Sequence, residues 1–221
     1  MQKKIIMAQL PKITGFCEIS NGKLFINNHN VFESNSNIFD KIIAEIINNF
    51  KVVHPRFGKM DRLAQLGYTC IEILLQNVDI TKYKSDEIAL LLSNNSSSLD
   101  TDLRFQKSIE SIPSPALFVY TLPNIVLAEV CIKNKIKGEN IFFISENFNI
   151  DLMLVQINEL FNNTSTKACI GGWIEIFEEN YKGFVFMVEK EFNNNNIDFT
   201  KDNIIEIFKK EITHGRAEFK A

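Results

Sequence analysis

Five consecutive apolar residues, Ile88-Ala89-Leu90-Leu91-Leu92, leave no alternation that could give a strand one wet face. A strand of this kind must be covered on both sides, which in a soluble chain means an inner strand of an α/β sheet with helices on both faces. The stretch Asn140 to Ser145, with Ile141-Phe142-Phe143-Ile144 at its centre, reads as a further strand. Residues 167–175 and 183–188 read as a closing strand pair. Near the start, residues 3–27 read as extended segments folded back at Asn21-Gly22, a dipeptide suited to a tight hairpin turn.

Helical spacing fills the intervals. From Asn37, taken as N-cap, Ile38, Phe39, Ile42, Ile43, Ile46, Ile47 and Phe50 recur on one face. Residues 58–76 predict a second amphipathic helix, with Met60, Leu63, Ala64, Gly67, Cys70, Ile71 and Leu74 inward. Lys59, Arg62, Gln65, Glu72 and Gln76 are expected to face out. A weaker helix is expected around 99–111. Residues 123–132 and 150–161 are apolar almost all round, so both helices are expected to be buried on most sides. The Asn-rich, polar tail after Glu191 is expected to carry one helix, over about 200–212. Strands alternating with helices in this way predict an α/β sheet.

Charge and cysteine usage narrow the chemistry. A net charge of -3 supplies no basic field for nucleic acid. No apolar run approaches the ~20 residues that a membrane-spanning helix needs. The apolar stretch behind Lys3-Lys4 stops at Gln9 and Pro11, which favours a first strand over a secretion signal and predicts a cytoplasmic protein. Cys17, Cys70, Cys131 and Cys169 are scattered without metal-ligand or redox spacing. Reduced structural thiols are the expected reading, with no metal and no cofactor.

Three stretches carry a family resemblance. They are Lys59-Met60-Asp61-Arg62 opening a long helix, Ser114-Pro115-Ala116-Leu117-Phe118-Val119-Tyr120-Thr121-Leu122-Pro123-Asn124 with Lys137-Gly138-Glu139-Asn140 after it, and Ala168-Cys169-Ile170-Gly171-Gly172-Trp173-Ile174-Glu175. In this order, over residues 59–190, the chain resembles the N-terminal half of the β-ketoacyl-acyl-carrier-protein synthases. The resemblance implies a thiolase-like half: a mixed sheet with helices on both faces and an N-terminal extended hairpin segment. It also implies a division into a synthase-like domain, residues 1–190, and the polar tail, residues 191–221.

In that family a cysteine heads the helix that follows the strand here placed at 140–145, where free N–H groups stabilise thiolate and oxyanion. Counting from Gly138, the matching tripeptide is Ser145-Glu146-Asn147, with Asn147 at the nucleophile position. An asparagine amide is no nucleophile toward a thioester. The simplest reading of Asn147 or Asn149 is a plain helix cap, and no catalytic residue is expected. The family's catalytic histidines would lie beyond the last residue of this chain. His214-Gly215 resembles a family motif but stands in the polar tail, and His29 and His54 are read as solvated. Cys131 and Cys169 fall in apolar segments, poor places for a reactive thiol. Trp173 reads as a packing residue. Glu129 is the odd carboxylate of an apolar helix; it either reaches solvent, pairs with a lysine or is neutral. Glu129 and Phe148 are the candidate pocket residues.

What the resemblance implies is then a ketosynthase-like subunit without chemistry of its own. Family members dimerise through the strand corresponding to Ile141, Phe142, Phe143 and Ile144, so the expected partner is a full-length ketosynthase or a second copy, with acyl carrier protein as a further candidate. Chain-length factors, which lack the cysteine and shape a partner's acyl pocket, are the nearest parallel. They act in fatty-acid, polyketide and aryl-polyene types of biosynthesis. A divergent small 3-oxoacyl synthase or acyltransferase, or a degenerate interaction module, are the alternatives.

Overall fold

The computed structural model describes residues 10–110, 112–192 and 196–209. Met1–Gln9, part of the expected first strand, and His214 lie outside them.

Eight strands form one mixed sheet in the order β3-β2-β1-β7-β6-β4-β5, with β8 paired to β1. They are β1 (Lys12–Ser20), β2 (Lys23–Ile26), β3 (His29–Glu33), β4 (Ile88–Asn94), β5 (Asn140–Ile144), β6 (Ala168–Phe177), β7 (Asn180–Glu189) and β8 (Ile197–Asp198). β4 runs parallel to β5 and β6, and the other pairs are antiparallel. β4 is buried at every position, as its unbroken apolar run requires. β1 and β2 are the expected hairpin, with Asn21 and Gly22 both at positive φ. β3 lies beyond the expected extended segments: its five residues are exposed except Phe32, which is half-buried against the core, and the apolar pair Val31-Phe32 is too short to mark a strand. His29 lies in it, exposed.

The helices are α1 (Phe39–Asn49), α2 (Arg62–Leu75), α3 (Leu99–Ile109), α4 (Pro115–Val119), α5 (Ile125–Asn134), α6 (Ile150–Asn163) and α7 (Lys201–Lys209), with a turn of 3-10 helix at Phe57–Lys59. One face of the sheet packs on α1, α2 and α5, and the other on α6 and α7.

Burial sharpens the sequence reading of three helices and overturns it for one. α2, expected to be amphipathic, is nearly enclosed, because it lies under α1 and α5 and over β1, β6 and β7. Arg62, expected outward, has a side chain only 5% exposed. Its guanidinium donates to Asp40 (2.9 Å), to the Glu178 carbonyl (2.7 Å) and to Glu179 (2.8 Å), and stands over the Phe39 ring. A planar fork with five donors can serve all of these at once, which is how a buried cation is tolerated. α5 and α6, expected to be buried on most sides, each leave one face in water. Ile132 of α5 is 67% exposed and Val155 of α6 is 56% exposed. α6 buries Met153, Ile157, Leu160 and Phe161, and presents Asp151, Glu159 and Asn162 to solvent.

The start of α1 also differs. Asn37 is not its cap; the Glu179 carboxylate, from the β6–β7 turn, accepts from the Phe39 N–H at 2.7 Å. That bond is the main reason the Glu179 carboxyl sits below the usual range.

Candidate functional site

The stretches that carry the family resemblance are positioning devices. Asp61 caps α2, accepting from the Ala64 N–H at 2.9 Å, and also accepts from the Thr101 hydroxyl at 2.5 Å, tying α2 to α3. Ser114 caps α4 by accepting from the Leu117 N–H, with Pro115 at the first helical position. The Thr121 carbonyl accepts from Ser98 Oγ at 2.7 Å. A Cβ on Gly138 would stand 2.3 Å from the Ile88 carbonyl oxygen, so only glycine lets the chain pass the start of β4 and enter β5 in register. A Cβ on Gly172 would meet the Phe184 carbonyl oxygen at 2.3 Å. Three residues on, Glu175 accepts from the N–H groups of Asn95 and Ser96 and from the Ser96 hydroxyl, holding the loop that leaves β4.

These contacts deliver β5 to the elbow between Ile144 and Ile150. The Ser145 N–H donates to the Asn94 carbonyl at 2.9 Å, and Ser145 Oγ donates to the Asn147 carbonyl at 2.8 Å. Asn149 is the N-cap of α6; its Oδ1 accepts from the Leu152 N–H at 3.0 Å. Glu146 and Asn147 are exposed. Phe148 turns inward instead, its ring 6.1 Å from Trp173, 6.0 Å from Phe184 and 5.0 Å from Phe208. Trp173 is a packing residue as read from sequence, 8% exposed. An open cleft of about 420 Å³ lies over the elbow, lined by residues 145–151 and Lys201.

The elbow therefore keeps a strand, a tight turn and a capped helix, but residues 145–149 contain no cysteine. The cysteines lie elsewhere: Cys17, Cys70 and Cys169 are buried and Cys131 half-buried. Burial pushes the Cys131 and Cys169 thiols above their ordinary range, so neither is poised as a thiolate. No group of three or more metal-ligating side chains occurs among the described residues.

Glu129 and Phe148 are not brought together. Phe148 packs on the α6 face of the sheet, while Glu129, on α5, sits among side chains of the α2 face. Glu129, with a side chain 6% exposed, meets His54 Nε2 at 3.3 Å, Arg56 at 3.1 Å and the Tyr120 hydroxyl at 2.9 Å. No lysine is involved. His54, read as solvated, has a side chain 5% exposed, and its Nδ1 accepts from the Arg56 N–H at 3.1 Å. His54 is thus held on both sides of its ring, by the Arg56 N–H at Nδ1 and by the Glu129 carboxylate facing Nε2. Burial, and then the Glu129 carboxylate, push the Tyr120 hydroxyl far above its ordinary pKa, so it stays a donor. This cluster ties the loop before α2 to α5. Nothing in local spacing signals it, because His54 and Arg56 are separated from Tyr120 and Glu129 by α2, β4, α3 and α4.

No protein-family model matches the chain, and no curated protein is similar to it in sequence. Its structure, in contrast, is similar to solved ones. A chain in the complex of the ketosynthase ApeO with its chain length factor ApeC, from Xenorhabdus doucetiae, matches with a TM-score of 0.53 at 10% identity, over 83% of this chain and 80% of that one. A chain of the ishigamide ketosynthase/chain length factor matches at 0.59 and 14% identity, over 85% of this chain and 64% of its own. A β-ketoacyl synthase from Burkholderia phymatum STM815 matches at 0.58 and 10% identity, over 83% and 59%. The protein is thus comparable in length to the Xenorhabdus chain and spans about three fifths of the other two. With β4, β5, β6 and the elbow in place, the chain has the thiolase-like fold of the β-ketoacyl synthases and chain length factors.

Proposed function

We propose that the protein is a non-catalytic, ketosynthase-like subunit of the chain-length-factor kind, supporting acyl-chain extension on an acyl carrier protein by pairing with an active ketosynthase. The observation that supports this reading is the elbow: a strand, a tight turn and a capped helix meet there, while its residues, Ser145 to Asn149, offer no activated nucleophile. Acting beside a carrier protein, it would work in the cytoplasm; no helix among the described residues is long and apolar enough to cross a membrane.

Association is supported by two surfaces that flank the end of β4. β5 is an edge strand, with Ile141, Phe142 and Phe143 half-buried and Ile144 exposed. An open apolar edge is a template for pairing with another chain. On the other side of β4, the segment 99–122 leaves Phe118 61%, Leu122 58% and Ile112 84% exposed. Such a concentration of exposed apolar side chains marks an interaction surface. Two of the similar structures are ketosynthases with chain length factors, which agrees with a partner of this class.

Co-expression with the full-length ketosynthases of the same genome, followed by size-exclusion chromatography, tests the proposal. A stable one-to-one complex is expected; a strictly monomeric protein with every such partner overturns it. Incubation of the protein alone with acyl-carrier-protein thioesters, read by intact mass, is expected to leave it unmodified. A stable acyl adduct would instead make it an enzyme.

A further inference from the structure

The sheet face opposite α2 is aromatic. Phe184 and Phe186 of β7, Trp173 of β6 and Phe148 of the elbow form one connected layer of rings. α7 lies across it. Ile204 and Ile207 are buried there, and the Phe208 ring is 5.0 Å from Phe148 and 5.3 Å from Phe184.

α7 is clamped at both ends. At its start, Lys201 pairs with Asp151 in the first turn of α6 at 2.5 Å. At its end, the Lys182 ammonium stands 4.1 Å from the Phe208 ring centroid and donates to the Phe208 carbonyl at 3.3 Å. Lys182 is itself held by the buried Glu18 carboxylate at 3.1 Å. Apart from Val155, the outer surface of α6 and α7 is mainly polar, with Asp151, Glu159, Asp202 and Glu206 exposed. Such a surface suits water better than another apolar layer.

Phe148 lies between Asn147 and the helix cap Asn149, so whatever fixes its ring fixes the elbow. We propose that α7 is an intramolecular latch. It closes the aromatic face of the sheet and, through Phe208 on Phe148, holds residues 145–149 in place, so that release of α7 and loosening of the elbow are one event. Partners are thereby confined to other surfaces. The inference does not rest on the proposed subunit role, since it concerns the chain alone.

Trp173, the single tryptophan, is the natural reporter. In full-length Phe208→Ala, acrylamide quenching of Trp173 is expected to rise several-fold with a red shift in emission, while the circular dichroism of the sheet persists. An unchanged Trp173 signal in that folded variant overturns the proposal. Should the variant not fold, native-state hydrogen exchange on the unmodified protein decides. The α7 amides of Ile204 to Phe208 and the elbow-dependent amides of Leu152 and Met153 are expected to open together, with the same denaturant dependence. Leu152 and Met153 amides that stay protected while α7 opens would reduce α7 to an ordinary surface helix.

Discussion

Nε2 of His54 lies 3.3 Å from Oε2 of Glu129, joining the loop after α1 to the middle of α5. Arg56 and Tyr120 complete the shell around that carboxylate. In Glu129→Ala the buried Tyr120 hydroxyl loses its acceptor, and His54 and Arg56 lose the carboxylate they face. The expected loss is about 2–4 kcal/mol of unfolding free energy. Glu129→Gln keeps an acceptor for Tyr120 and is expected to lose less. Denaturant unfolding of the two variants checks the order, and equal losses would mean that the charge matters more than the hydrogen bonds.

Asp61 gives the pH dependence a definite sign. Burial pushes its carboxyl above the ordinary value, an effect that the bonds from Thr101 and the Ala64 N–H oppose but do not cancel. A folded-state value above the unfolded one favours folding most below the ordinary pKa of about 4, and this contribution is lost as pH rises through the folded value. In Asp61→Asn the side-chain oxygen still caps α2 and nothing titrates. The stability of Asp61→Asn relative to wild type is therefore expected to increase between pH 4 and pH 7. Asp61→Ala, which removes the cap, is expected to cost about 1–2 kcal/mol at either pH. Thermal melts across that range read both effects.

Much of the sheet was legible because its signals are local. The unbroken run Ile88 to Leu92 marks a doubly covered strand, and Asn21-Gly22 marks a hairpin, whatever the rest of the chain does. Degree of helix burial was not legible. α2 carries Arg62, Gln65, Thr69 and Glu72 at a spacing that suggests one wet face, yet tertiary contacts enclose it, and Arg62 is supplied with partners from Asp40, Glu178 and Glu179 far away in sequence. α5 and α6 look apolar all round, yet Ile132 and Val155 remain in water. At the elbow, the position of Ser145 to Asn149 could be counted from Gly138. The inward turn of Phe148 onto Phe208, and the grip of Lys182 on the end of α7, could not, since both depend on a segment folded back from the far end of the chain.

Asn147→Cys tests whether the elbow could still activate a thiol. α6 begins at Ile150, three residues beyond the substitution, and Asn149 Oδ1 already takes the Leu152 N–H. Glu146 and Asp151 add negative charge to the same cleft. The new thiol is expected to titrate at or above the ordinary value of about 8.5, as followed by the pH dependence of alkylation. A midpoint well below that value would show that the turn retains an activating field.

The edge of β5 makes the last case. Ile144 is 52% exposed at the end of the outermost strand, opposite Asn94 of β4, and its side chain contributes little to either core cluster. Ile144→Lys should therefore leave stability within about 0.5 kcal/mol, as for most exposed positions. A lysine on an open edge disfavours strand addition, because its ammonium would have to be desolvated against the incoming strand. If β5 pairs across an interface, the variant is expected to run as a monomer under conditions where the wild type associates, with unchanged circular dichroism. Phe118→Ser probes the second surface separately: its ring touches Phe105 at 5.4 Å between centroids but is 61% exposed, so removing it weakens association more than folding. Sedimentation velocity on both variants separates the two surfaces. Association that survives Ile144→Lys but not Phe118→Ser would place the interface on the 99–122 segment rather than on the strand edge.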